Sequence, residues 1–220
     1  MTDRPILFSG PMVRAILDGR KTQTRRVLGT SNNPFSLFCN GWSDAYVLDP
    51  GNAEWRQREV RFEIGDRLYV REAWRTLQAN DCIAPRNLPQ DPSKVTFEAD
   101  PERRNPLWAF GRLRPGMHMP RWASRLTLAV TDVRVQRLQA ISEADAIAEG
   151  IEFVTRTTSG DFYRNFQNAG CPLMAYGAYR SLWDSLNEMR GYGWDANPWV
   201  VAVSFTVHRA NIDAMPAQAA

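Results

Sequence analysis

Apolar and polar positions recur in short, unequal blocks along the 220 residues, and the blocks differ in period. Ile6 to Ser9 predicts a short strand. Pro11 to Asp18 predicts a helix, with Pro near its start, Val13, Ile16 and Leu17 at helical spacing, and Gly19 at its end. Lys21 to Leu28 reads as a Thr-rich extended segment. The turn signal Gly65-Asp66 leads into a strand from Leu68 to Trp74. Arg125 to Leu138 places Leu126, Leu128 and Val130 on one face and Val133 and Val135 out of phase with them, which predicts a long strand bulged near Asp132. Ser142 and Asp145 approximate a capping box for a short helix, Glu143 to Glu149, closed by Gly150. Tyr179, Leu182, Trp183 and Leu186 form the apolar stripe of a helix of roughly four turns. In the last element Trp199, Val201, Val203, Phe205 and Val207 share one face, and Ala202, Ser204 and Thr206 the other, as in a half-buried strand.

Between these elements lie three irregular stretches, near residues 29–63, 76–122 and 151–173; the second is too rich in proline for a regular element. The chain therefore reads as one α+β domain over residues 1–210, a small mixed barrel with flanking helices and long insertions, followed by a disordered tail at 211–220 that frays after Arg209.

Composition fits that reading, with 44% hydrophobic and 23% charged residues. A chain of this length buries roughly 70% of its unfolded surface and needs no staples. Cys39, Cys82 and Cys171 lie far apart without a C-x-x-C pair, so neither a disulfide framework nor a thiolate metal site is expected, and a reducing cytoplasm is the simplest setting. The apolar run in MTDRPILFSGP is too short for a signal peptide, and no stretch has the length of a membrane span. His118 and His208 sit apart, which leaves almost no material for histidine metal sites or Ser-His-Asp catalysis, and no cofactor is expected. There is no G-x-S-x-G and no Walker A sequence. Gly191-Tyr192-Gly193 imitates a dinucleotide fingerprint but follows a helix and precedes a strand, so it reads as a turn.

The net charge is only +3, yet 25 of the 27 basic residues are Arg, with Lys21 and Lys94 the exceptions. Three arginines, one lysine and two threonines gather in Gly19-Arg20-Lys21-Thr22-Gln23-Thr24-Arg25-Arg26, directly after the first helix. One reading is a solvated helix end, where cations meet the C-terminal dipole. The other is a phosphate or nucleobase site. A lysine kept in so arginine-rich a chain can lose its proton when buried, and a neutral amine can take a proton from the Thr24 hydroxyl.

Gly19, Lys21 and Arg26 match the signature G-x-K-x-x-x-x-R, and the Gly65-Asp66 turn, long strand and short helix follow in order. In these features the chain resembles the ASCH domains, a family with a PUA-like β-barrel fold. Arg190 to Trp199 also resembles a stretch of ASCH-like proteins encoded by prophages. The resemblance covers about half of the chain: residues 5–28, 65–74, 124–150 and, less closely, the last helix and strand. It implies a cleft for RNA or a modified nucleoside or nucleotide. By likeness to the family's bacterial N4-acetylcytidine amidohydrolase, it also implies hydrolysis of an N4-acylated cytidine-type base. The implied catalytic residues are Lys21 as base, Thr24 as nucleophile or water positioner, and Glu149, late in the short helix, as the acid for the departing amine. Gly19, Arg20, Arg25 and Arg26 would bind substrate, with Arg26 at the oxyanion. Trp42, Trp55, Trp74, Trp108 and Trp122 are candidates for stacking a base. Two other expectations stay open: a non-catalytic reader of RNA or a modified nucleotide, and a prophage accessory or assembly protein whose site is idle.

Overall fold

The computed structural model describes residues 2–29, 36–38, 41–100, 110–168 and 170–215. Strand β1 (Asp3–Leu7) leads through Ser9 into helix α1 (Gly10–Leu17), which has proline in its first turn and buries Val13, Ala15 and Ile16. Gly19 follows with φ of +76°, the left-handed conformation that lets the chain leave the helix. Strand β2 (Gln23–Val27) comes next.

The expected insertion at 29–63 contains two short helices, α2 (Asp44–Leu48) and α3 (Ala53–Glu59). Each has few turns, so its apolar period is too short to read. After β3 (Arg67–Arg71), the proline-rich stretch is punctuated by 3-10 turns and holds a two-stranded ribbon, β4 (Trp74–Thr76) with β5 (Val95–Phe97). Strand β6 (Thr127–Arg137) continues through Asp132, where the sequence predicts a bulge. Helix α4 (Glu143–Ala148) has the expected Ser142 cap, whose hydroxyl accepts from Asp145 N. The third irregular stretch carries an exposed hairpin, β7 (Phe153–Thr157) with β8 (Gly160–Tyr163). Helix α5 (Ala175–Asn187) and strand β9 (Trp199–His208) complete the regular elements.

Five strands hydrogen-bond in the order β1-β3-β6-β9-β2, with β1 parallel to β3 and the β3–β6 and β2–β9 pairs antiparallel. The architecture is α+β, and among the described residues no sheet closes into a barrel. Strand β9 has a neighbour on each edge, and Trp199 to Val203 are buried on both faces; the expected one-sided burial sets in only at Ser204 and Thr206.

The chain divides into two compact units, one of residues 1–19, 65–130 and 205–220, the other of residues 20–64 and 131–204. In the first unit Trp74, Leu88, Met119 and Ala123 pack together. Its end is Asn211–Met215, where Ile212 is buried and the Asn211 amide donates to the carbonyls of Arg121, Trp122 and Ser124. The order therefore continues past Arg209, and residues 216–220 lie outside the described residues. In the second unit the core joins Leu138, Ile141, Ala146, Tyr179, Trp183, Trp194 and Val200, with a satellite of Leu37, Val47 and Trp199.

Candidate functional site

The second unit places strand β2 against helix α4, and their periods match. Residues two apart on a strand are separated by about 6.6 Å and share a face. Residues four apart on a helix rise about 6 Å and share a face. Gln23 and Arg25 thus meet Asp145 and Glu149 as two rungs. Arg25 Nη1 donates to Glu149 Oε1 at 3.1 Å and Nη2 to Asp145 Oδ2 at 3.0 Å. Gln23 Nε2 donates to Asp145 Oδ1 at 3.1 Å and to Ser204 Oγ on β9 at 3.0 Å, and the Gln23 side-chain oxygen accepts from Arg25.

Lys21 stands one further step down the same face. Its backbone bridges Glu149, and Thr22 N donates to Ala148 O at 2.9 Å, which fixes the entry to β2 beside the end of α4. Lys21 is fully buried, and Nζ donates to Glu149 Oε2 at 2.8 Å, Glu149 O at 2.9 Å and Gln23 O at 2.8 Å. Glu149 is 5% exposed. A carboxylate at a helix C-terminus opposes the helix dipole, so its burial there needs cations. Lys21 and Arg25 supply them, and Lys21 also satisfies a terminal carbonyl that the helix leaves without an internal partner. Gly150 then turns the chain with φ of +85°, and Arg20 Nη1 donates to its carbonyl at 3.0 Å.

Burial draws the Lys21 ammonium below the usual lysine range, with the Glu149 carboxylate opposing. Arg26, half-buried, is lowered by desolvation while Glu149 again opposes. The Tyr179 hydroxyl, fully enclosed, is raised well above its ordinary value by burial and by the Glu149 charge, and its ring lies 5.9 Å from the Arg25 guanidinium carbon. Asp145 is held below the usual carboxylate range: burial acts upward, but hydrogen bonds from Arg134 and Gln23 and the charge of Arg25 outweigh it.

Of the expected catalytic set, Lys21 and Glu149 are in contact across 128 residues of chain. Thr24 is buried on β2 opposite Val203, and by strand alternation its side chain takes the face away from Gln23 and Arg25. Of the expected binding set, Arg25 is committed to the two carboxylates, Arg20 to the Gly150 carbonyl, and Gly19 to the turn after α1. Sequence reasoning missed Gln23, Asp145, Tyr179 and Arg134 as members of the cluster. The i, i+4 spacing of Asp145 and Glu149 is the available signal.

Of the tryptophans expected near a base, three pack into cores and Trp42 is 39% exposed. Trp74 is fully buried, Trp55 and Trp122 support core clusters, Trp42 stacks on Tyr46 at 4.6 Å, and Trp108 lies outside the described residues, as does Cys39. Among the described residues no helix is long and apolar enough to cross a membrane, and no group of three or more His, Cys, Asp or Glu could hold a metal ion. No family model, curated protein or solved structure matches the chain.

Proposed function

We propose that the chain is an ASCH-like protein whose Lys21–Glu149 pair hydrolyses the amide of an N4-acylated cytidine-type nucleobase. The observation that supports this most is the 2.8 Å contact of Lys21 Nζ with Glu149 Oε2, inside a desolvated cluster and made by two residues that likeness to the family's amidohydrolase implies as catalytic. The PUA-like barrel belongs to the same proposal. What supports it is the mixed composition of the five-stranded sheet, which stays open among the described residues.

Burial disfavours separated charges, so a proton passing from Nζ to Oε2 converts the ion pair into an amine and a carboxylic acid. The amine then accepts a proton from a water whose oxygen attacks the amide carbon, while Thr24, on the other face of β2, takes no part in that transfer. The Glu149 acid protonates the departing amine as the C–N bond breaks. Arg26 stabilises the oxyanion.

One observation favours a non-catalytic reading: all three protons of the Lys21 ammonium already have acceptors, so the pair also works as a clamp between β2 and α4. In that reading the chain reads RNA or a modified nucleotide with Arg20 and Arg26. Incubation with N4-acetylcytidine, followed by chromatography, separates the two. Turnover by the native protein, lost in Lys21→Ala and Glu149→Gln, is expected. No turnover by the native protein overturns the enzyme reading, and oligonucleotide affinity falling steeply with salt would then support the reader. Turnover that survives both substitutions overturns the residue roles.

A further inference from the structure

In the first unit, the segment leading toward β6 returns to β4 at Arg114: Trp74 N donates to Arg114 O at 3.1 Å, and Arg114 N to Trp74 O at 2.8 Å. Arg114 is 3% exposed. Its guanidinium carbon lies 5.7 Å from the Trp74 ring centroid, Nη1 donates to Ile83 O at 3.1 Å and Nη2 to Asn80 O at 2.7 Å. Among the described residues its Nε is buried without a hydrogen-bond partner and no carboxylate is within ion-pair distance of this side chain, while the Asp81 charge acts on it from farther away. Carbonyl dipoles hold a guanidinium in place but do not neutralise it, and a buried charge without a counter-charge in direct contact is costly.

Arg114 is also a wall of an open cavity of about 520 Å³. Arg112 and His118 supply further nitrogen groups to that wall, Pro85, Leu113 and Pro115 supply apolar surface, and among the described residues no carboxylate lines it. Asp81, in the same segment, accepts from the Arg112 backbone N–H at 3.0 and 3.2 Å and is absent from the lining. Burial and the charge of Arg112 draw the Arg114 pKa below the arginine range against the opposing charge of Asp81, and a bound anion would act in the same upward direction as Asp81.

We propose that this cavity binds a phosphate monoester, the phosphate against Arg112, Arg114 and His118 and its organic substituent against Pro85, Leu113 and Pro115. Arginine suits the phosphate because its planar donors match two oxygens at once. The volume falls in the range of small-molecule sites and exceeds the needs of a bare phosphate ion. The proposal is independent of the Lys21–Glu149 reading.

The chain has two histidines, so their imidazole NMR signals are assigned by one substitution, His118→Gln. Titration at constant ionic strength with inorganic phosphate and with phenyl phosphate should move the His118 signal saturably and leave His208 in place, with phenyl phosphate binding more tightly. Arg112 is exposed, and Arg112→Gln should weaken both by about tenfold, the loss of one charge-assisted hydrogen bond. Arg114→Met should abolish binding if it folds, and Arg112→Gln carries the test if it does not. Equal movement of both histidines, no saturable movement with either probe, or unchanged affinity in Arg112→Gln would overturn the proposal.

Discussion

Replacing Glu149 by Gln removes a charge of nearly unchanged shape from a site where Lys21 is fully buried and Glu149 is 5% exposed. Breaking a buried ion pair by deleting one partner costs about 3–5 kcal/mol, because the surviving charge is stranded. The lower end applies here. Lys21 keeps two carbonyl acceptors, and Arg25 keeps Asp145. For a domain of this size about 3 kcal/mol corresponds to a melting temperature lowered by roughly 6–12 °C. The pH dependence is the sharper signature. Burial lowers the folded pKa of Lys21 already, and losing Glu149 lowers it further. Between that value and the unfolded lysine value of about 10.4, the unfolded state binds more protons, so stability rises with pH. The deficit of Glu149→Gln should therefore be largest below the folded Lys21 pKa and shrink as Lys21 sheds its proton. Urea unfolding followed by circular dichroism across that interval reads both quantities. A deficit within about 0.5 kcal/mol, or one that does not change with pH, would refute the buried pairing.

Three further outcomes test other parts of the chain. Asp3 meets Arg67 through two hydrogen bonds of 2.8 Å and Arg121 at 2.6 Å, and these hold its carboxyl below the usual range against the opposing effect of burial; Asp3→Asn should cost about 1–2 kcal/mol near neutral pH, and the two proteins should converge as pH falls through the folded Asp3 value, checked by acid titration of unfolding free energy. A Cβ on Gly116 would stand 2.7 Å from Leu7 Cδ1 and 3.0 Å from the Glu72 carbonyl carbon, so Gly116→Ala should lose about 1–3 kcal/mol by thermal unfolding, since backbone cannot swing aside. Asn211→Ala should lose about 1–3 kcal/mol by the same measurement, because one amide serves the carbonyls of Arg121, Trp122 and Ser124; a neutral result would mean that the chain frays where the sequence suggests.

The elements that sequence made legible are those with a full period to read: α1 through its proline and closing glycine, β6 through its length, α5 through the stripe from Tyr179 to Leu186. Helices α2 and α3 are too short for a stripe, and the β4–β5 ribbon joins strands of three residues each, below the length at which alternation can be recognised. At the site, the signature resemblance points to Lys21 and Glu149, while parity along β2 sets Thr24 on the other face from Arg25. The Arg25 partners are not legible, because a pairing between residues 120 and 124 positions apart is decided by how the chain folds back. Asp145 is the exception: its place four residues before Glu149 puts both carboxylates on one helix face, where two acids this close need cations opposite them.

The same atoms that would do chemistry also hold β2 to α4, so loss of turnover in a single variant does not distinguish a catalytic pair from a clamp. The double replacement Lys21→Met/Glu149→Gln does. Removing both charges strands neither, and exchanging a buried pair for groups of similar volume is commonly near neutral for stability. The amide that replaces the Glu149 carboxylate would still offer Arg25 an oxygen, and the methionine side chain would fill the space of the Lys21 stem. The double variant should therefore recover most of the roughly 3 kcal/mol lost by Glu149→Gln. If the pair is the proton-transfer couple, this refolded protein turns over no N4-acetylcytidine. If the pair is only a clamp, whatever activity or nucleic-acid affinity the native chain has returns with the fold. Stability and function measured on that one protein move together in the second case and part company in the first.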